Sequence, residues 1–448
     1  MNKIKKRTFS ILLLVGIAIL GMGFLMVRYL VQGTEWATAQ ERFNRNVYRD
    51  GRLVARGEIR DRNGIVLAGV TDGKRTFAES PDIRRATLHA VGDGDADTAQ
   101  IGVGALTEFA PGLMGHNLIT GLYSMSGSGG NRISLTIDAR LNAAALDELR
   151  GRRGVVMVSN YKTGEILCMV SSPTFDPANP PDAATIASLI DPYVNHAIQS
   201  TYAPGSTFKL VTAAAAIENV SRVYDLEFEC TGSLEIGNDT LVCRHGPHGN
   251  LGIERGMQVS CNIVFGELAL KVGAGTMAEF AEKYALSETT RVSGIETKKG
   301  RFDEGAPGSI FLAWSGIGQF RNEVCPATML RFVGAIGNNG TAIDLYFQKR
   351  TGISAFVPSR SERLITRNTA VQLNDLLDIQ NNQTIPGLDI RAKTGTAQVD
   401  GRDPHAWYVG YISDPDHPYA FVVMVEHGGS GGEVARPIAT AVLQKIVG

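Results

Sequence analysis

The 448-residue sequence has no surplus of charge of either sign. Its 44 Lys and Arg stand against 45 Asp and Glu, a formal net charge of −1. The basic excess that would argue for nucleic acid as a partner is missing, and so is the acidic excess of a disordered chain. Cysteine is scarce and odd in number. Cys168, Cys230, Cys243, Cys261 and Cys325 cannot all pair within one chain, so a complete disulfide framework is excluded. No internal repeat is present. What remains is an ordinary globular balance of 44% hydrophobic and 20% charged residues, long enough for two to four domains.

The N-terminus departs from that balance. Lys3, Lys5, Lys6 and Arg7 precede an uncharged run from Phe9 to Val27. As a helix this run spans roughly 28 Å, close to the hydrocarbon thickness of a bilayer. The basic cluster is expected to stay in the cytoplasm, leaving the rest of the chain outside, with Arg28 reaching back to the headgroups. A cleaved signal peptide ending at Ala37 to Ala39 fits less well, because the apolar run is too long and the small residues lie well beyond it. The organisation expected is a cytoplasmic tail (1–8), a transmembrane anchor (9–27), a short polar module with its linker (28–132) and a well-patterned domain (133–448).

In the short module, "RGEIRDRNGIVLAG" places Asn63-Gly64 between apolar runs, a hairpin signal read as structural. "SMSGSGGNR", Ser124 to Arg132, is a flexible linker by composition. After it, Asp138 caps a predicted helix to about Arg150. Val155 to Val158 and Ile166 to Val170 form a predicted hairpin. "IRAKTGTAQV", "HAWYVGYIS" and "YAFVVMVEHG" read as three more strands, followed by a helix from about Arg436 to Ile446. Strands at both ends with helices between predict an α+β domain whose sheet is built from the two ends of the chain.

Two short motifs each occur twice. Ser-x-x-Lys appears at Ser159–Lys162 and Ser206–Lys209, and Lys-Thr-Gly at Lys162–Gly164 and Lys393–Gly395. Both belong to serine acyltransferases that recognise penicillin. The copy at residues 159–164 is predicted at a hairpin tip, with Ser159 and Lys162 as surface turn residues. Ser206 instead follows the chain break Pro204-Gly205 and opens an apolar helix, with Lys209 one turn on along the same face. Free backbone N–H groups there favour a developing oxyanion. Lys393-Thr394-Gly395-Thr396 lies in an extended segment. At a sheet edge it would accept a peptide as an added strand, with Gly395 allowing close approach. Ser260-Cys261-Asn262 is the single Ser-x-Asn of the chain. Ser-x-x-Lys, Ser-x-Asn and Lys-Thr-Gly therefore follow in order on a helix start, a loop entering a helix, and a strand.

With these motifs in place the sequence resembles the class B penicillin-binding proteins, monofunctional peptidoglycan DD-transpeptidases. "RGEIRDRNGIVLA", "SLTIDARLN", "GEILCMVSSPTFDPANP", "YAPGSTFKL", "SCNIVFGELA", "SGIGQF", "AIGNNGTA", "KTGTAQ" and "HAWYVGY" carry the resemblance in family order. It implies the penicillin-binding, serine β-lactamase-like fold, with an antiparallel sheet covered by helices. It implies Ser206 as the acylated nucleophile, attacking the penultimate D-Ala of a stem peptide, and Lys209 as base, its pKa lowered by burial and by Lys393. Ser260 would relay the proton to the leaving amine and Asn262 would hold the substrate peptide. Lys393, Thr394 and Thr396 would bind its carboxylate, and the N–H groups of Ser206 and Thr396 would form the oxyanion hole. The partners implied are peptidoglycan stem peptides, β-lactams as covalent inhibitors, the membrane and a SEDS-type glycan polymerase. No cofactor is implied.

The N-terminal module is short for the family, so a large pedestal or dimerisation insert is not expected, nor is an add-on module after the last helix. "CTGSLEIGNDTLVCRHGPHG" holds Cys230, Cys243, His245 and His248, but Cys-x₁₂-Cys-x-His-x₂-His is no familiar zinc spacing, and no metal is assigned. Cys230 and Cys243 are the best pair if one bridge forms. A β-lactamase or DD-carboxypeptidase would pass the acyl group to water. A class A β-lactamase needs a Glu to activate that water, and the nearest candidate, Glu296, sits in a loop-like context. A non-catalytic sensor would normally need a signalling partner or further membrane spans.

Overall fold

A computed structural model describes residues 2–38, 48–49, 52–53, 57–94, 99–117, 122–123, 130–350, 355, 358–378 and 385–447. Most of the expected linker at Ser124 to Arg132, together with Ala39 and Arg56, lies outside the described residues.

Helix α1, Asn2–Thr38, carries the apolar run. Its Arg7–Arg28 segment has a mean hydropathy of 2.6 and is wholly unburied. Among the described residues it is the one helix long and apolar enough to cross a membrane. Ala37 and Thr38 of the alternative cleavage stretch belong to the same helix.

The short module contributes β1 (Ile59–Arg60), β2 (Val66–Thr71), β3 (Lys74–Phe77) and α2 (Pro81–Val91). The turn between β1 and β2 holds Asn63-Gly64, with Gly64 at φ +89°, as the hairpin signal requires. Strand β4, Ile133–Ser134, adds to β1 in parallel, giving the order β3-β2-β1-β4. The residues just after the linker thus complete the sheet of the segment before it. Arg84 of α2 makes a two-pronged ion pair with Asp176, and His89 Nε2 donates to the Pro192 carbonyl at 3.0 Å, which ties this module to the rest.

Helix α3, Ala139–Leu149, starts at Asp138, whose carboxylate accepts from the N–H groups of Arg140 and Leu141. Then come β5 (Gly154–Asn160) and β6 (Ile166–Ser172), a tight turn at Gly205–Phe208, and α4 (Lys209–Asn219). A flap follows, made of β7 (Phe228–Cys230), β8 (Ser233–Ile236), β9 (Asp239–Val242) and β10 (Gly249–Leu251). Helices α5 (Asn262–Val272), α6 (Ile310–Gly316) and α7 (Pro326–Gly337) lead to β11 (Ile390–Val399), β12 (Arg402–Ile412), β13 (Tyr419–Val425) and α8 (Arg436–Val447).

The main sheet is antiparallel with order β6-β5-β13-β12-β11, so both ends of the chain build it as expected. Its apolar runs are continuous because helices cover both faces. Val155, Met157, Trp407, Val409, Val422 and Met424 join the core under α4, α5 and α7. Their alternates Val156, Val158, Tyr408, Phe421 and Val423 pack with Leu141, Leu149, Ile438 and Leu443 of α3 and α8. The fold is α+β.

Two expectations need correction. Ser159 is not a surface turn residue. It is the sixth residue of β5, 1% exposed, paired across to Ile166 and Ala420. Only Lys162 and Thr163 occupy the exposed tip, where Lys162 Nζ donates to Asn338. Ser206 does not begin the α-helix. It sits in the 3₁₀ turn before it, and Lys209 is the first α-helical residue.

Candidate active site

Ser206 is carried by a turn that the surrounding chain holds on several sides. Gly205 has φ +53°, a conformation that favours glycine, and its N–H donates to the Gly318 carbonyl at 2.9 Å. Trp407 of β12 donates its indole N–H to the Ala203 carbonyl, also at 2.9 Å. Tyr202 pairs its backbone with Val324, and Thr212 of α4 donates to the Gly316 carbonyl. The segments "YAPGS", "SGIGQ" and "HAWY" are thus one mechanical unit.

Lys209 is 0% exposed and Lys393 1%. Lys209 Nζ donates to the Ser260 carbonyl at 2.6 Å, to Asn262 Oδ1 at 2.8 Å and to Ser260 Oγ at 3.2 Å. Lys393 Nζ donates to the same Ser260 Oγ at 2.9 Å and to the Thr394 carbonyl at 3.2 Å. Two lysine amines thus converge on one hydroxyl. Ser260 holds it there in a left-handed conformation at φ +55°. Burial, and then the charge of Lys393, hold Lys209 well below the ordinary lysine range. Burial alone brings Lys393 down to about 8.

Strand β11 is a sheet edge, the condition under which a peptide could add to it as a further strand. Thr394, Thr396 and Gln398 alternate along it and line a cavity of about 320 Å³ together with Ser206, Ser260 and Asn262. Volumes of this order suit small-molecule and short-peptide recognition. Gly395 faces the other way. A Cβ there would lie 2.9 Å from the Pro204 carbonyl oxygen and 2.9 Å from Thr207 Cγ2. The residue is small so that the nucleophile turn can press against the strand, which differs from the expected approach of a substrate.

The structure therefore brings Ser206, Lys209, Ser260, Asn262, Lys393, Thr394 and Thr396 together. The copy at Lys162-Thr163 borders a different cavity. Trp314, Ile317 and Gln319 form one wall of the cleft, and Val242, Arg244 and His245 of the flap form another. Sequence reasoning assigned no role to these residues. The signal for Ile317 and Gln319 was present in "SGIGQF", a motif without an obvious chemical group, and Trp314 directly precedes it. Among the flap residues, His245 stood out only as a member of the Cys/His segment, and Val242 and Arg244 gave no signal.

Residues 154–444 match the family described as penicillin binding protein transpeptidase domain. The chain belongs to this family. Among relatives of this penicillin-binding chain, peptidoglycan D,D-transpeptidase PbpA of Mycolicibacterium smegmatis is 29% identical over 377 residues, 74% of this chain and 75% of the relative. The ceftriaxone acyl-enzyme complex of penicillin-binding protein A from M. tuberculosis matches with a TM-score of 0.75 at 23% identity, covering 88% of this chain and 98% of that one. The D,D-transpeptidase domain of a peptidoglycan glycosyltransferase from Eggerthella lenta matches at 0.74 and 26% identity, with coverages of 88% and 98%.

The flap and the start of α5 together hold the dense cysteine group. All five cysteines are free thiols, including Cys230 and Cys243, the pair considered for a bridge. Cys230, Cys243, His248 and Cys261 have their donor atoms within 4.8 Å of one another, a set that could hold a metal. His245, the other histidine of the motif, faces the cleft instead.

Proposed function

We propose that this chain is a serine DD-transpeptidase that cross-links peptidoglycan stem peptides. The observation that carries the reading is the meeting of Ser206 and Ser260 in one cleft beside an edge strand, with the buried amines of Lys209 and Lys393 both bonded to Ser260 Oγ. The family membership and the naming of its relatives as peptidoglycan D,D-transpeptidases support it.

A stem peptide adds along β11, its terminal carboxylate bound by Lys393, Thr394 and Thr396, and its backbone held by Asn262. Lys209, in its neutral form, accepts the Ser206 proton as Oγ attacks the penultimate D-Ala carbonyl. The N–H groups of Ser206 and Thr396 stabilise the oxyanion. On collapse the C–N bond breaks, and Ser260 passes a proton to the leaving D-Ala amine. An amine from a second stem peptide then attacks the acyl-enzyme, loses its proton through the same groups and releases Ser206. A β-lactam enters by the same acylation step.

Helix α1 anchors the chain once in the membrane, with residues 1–8 in the cytoplasm and the catalytic domain outside, according to the basic cluster before the apolar run. The short module (28–132) stands between membrane and catalytic domain (133–448). A SEDS-type glycan polymerase is the expected membrane partner.

The test is to incubate the full-length chain in detergent with a fluorescent penicillin. Stable labelling that disappears in Ser206→Ala supports the transpeptidase. Rapid turnover of the label indicates a β-lactamase, and no labelling overturns a catalytic role. Labelling lost in Ser159→Ala but retained in Ser206→Ala would reverse the choice of motif.

A further inference from the structure

The thiol group formed by the flap and the start of α5 is not used by the acyl-transfer chemistry. Cys230 ends β7, Cys243 follows β9, His248 precedes β10, and Cys261 caps α5. The three thiols are buried and the imidazole is half-buried beside them. Cys243 Sγ lies 3.8 Å from Cys261 Sγ. His248 Nδ1 lies 3.5 Å from both Cys230 Sγ and Cys243 Sγ.

These three separations match edges of a coordination tetrahedron, and all four donor atoms lie within 4.8 Å of one another. Zinc bound by sulfur at about 2.3 Å and nitrogen at about 2.0–2.1 Å requires S···S edges of about 3.8 Å and S···N edges of about 3.5 Å. A disulfide would need about 2.05 Å between the sulfurs instead. Three thiolates and one imidazole form a closed, soft donor set that suits zinc.

The backbone holds the four residues in place independently of the thiols. His248 N–H donates to the Cys230 carbonyl at 3.0 Å, Cys243 N–H to the Gly232 carbonyl at 2.8 Å, and Cys261 N–H to the Gly256 carbonyl at 2.8 Å. Between Cys243 and His248 the chain turns so closely over the cluster that a Cβ on Gly246 would lie 3.2 Å from Cys230 Sγ.

We propose that Cys230, Cys243, His248 and Cys261 form a structural zinc site that clamps the flap to the catalytic Ser260–Asn262 turn. Binding displaces the three thiol protons and forms three Zn–S bonds and one Zn–N bond, with no redox step. Cys261 is the middle residue of Ser-x-Asn, so the metal fixes the two residues on either side of it. It also fixes Val242, whose carbonyl accepts from Asn262 Nδ2 at 2.8 Å, and with it the cleft wall formed by Arg244 and His245.

The test uses the full-length chain, purified in detergent without chelator or reductant. Elemental analysis is expected to give one zinc per chain, and X-ray absorption at the zinc edge a shell of three sulfurs and one nitrogen. That spectrum needs no variant and so does not depend on one folding. Cobalt exchanged into the site should give tetrahedral ligand-field bands with thiolate charge transfer. Cys243→Ser should lose nearly all bound zinc, whereas Cys168→Ser and Cys325→Ser should keep it. Removing zinc with a chelator should lower the unfolding midpoint and slow acylation, and both should return when zinc is restored. The proposal is overturned if the chain neither carries zinc nor takes up zinc or cobalt when reduced. A zinc shell without three sulfurs, or recovery of Cys243 and Cys261 joined as a disulfide, overturns it equally.

Discussion

Lys209 Nζ donates to Asn262 Oδ1 at 2.8 Å, across 53 residues of sequence. With its two bonds to Ser260, this uses all three protons of an ammonium group. Among the described residues, every hydrogen bond of this amine goes to the Ser260–Asn262 turn. The amine becomes a base only when it loses a proton, and burial beside Lys393 makes that loss easier than for an ordinary lysine. Acylation by a fluorescent penicillin should therefore rise with pH and level off once Lys209 is neutral. Lys209→Arg keeps a permanent cation and should acylate roughly 10²–10⁴-fold more slowly at every pH. Stopped-flow acylation rates across pH check this, and a variant within a few-fold of wild type would refute the role of base.

Gly395→Ala tests the contact between the edge strand and the nucleophile turn. The new methyl meets the Pro204 carbonyl and Thr207 at 2.9 Å, and neither is the free end of a flexible side chain. Overpacking of this kind costs about 1–3 kcal/mol. A lower unfolding midpoint together with slower acylation is expected. Wild-type acylation would mean the turn is not braced by this strand.

Trp407→Phe removes the indole N–H that bonds the Ala203 carbonyl and leaves a part-buried acceptor without its partner. The expected loss is about 1–3 kcal/mol. Because Ala203 lies three residues before Ser206, acylation should slow as well. Thermal unfolding and acylation rates measured on the same preparation separate the two effects.

His89 supplies a pH dependence of stability. Burial depresses it from 6.5 to about 4. The unfolded chain therefore binds more protons between those values, so stability is complete above pH 6.5 and falls as pH drops toward 4. The loss amounts to about 3 kcal/mol. His89→Gln should flatten this slope relative to wild type. Unfolding midpoints of both chains from pH 7 to pH 4 measure the difference, and parallel slopes would assign the acid sensitivity to other groups.

Much of the fold was legible in the sequence because local chemistry and periodicity agree there. Asp138 caps its helix, Asn63-Gly64 turns its hairpin, and the apolar runs of β5, β6, β12 and β13 are continuous because both sheet faces are covered. The misreadings come from residues whose surroundings are remote in sequence. Ser159 looked like a turn residue, but its burial depends on β13, some 260 residues downstream in the chain. Gly395 looked open to substrate, but its neighbour is the turn at Pro204–Thr207.

By itself the sequence determined which residues are candidates for the proposed chemistry and in what order they come. Ser206, Lys209, Ser260, Asn262 and Lys393 sit in motifs whose local context can be judged within a few residues. Only the tertiary structure decided that Lys209 and Lys393 share one hydroxyl, that Gly395 serves the nucleophile turn, and that Cys261 rather than His245 joins Cys230, Cys243 and His248. Each of these depends on distances across segments that are far apart in the chain. Sequence spacing does not encode such distances, because the packing of the sheet, the flap and the helices sets them.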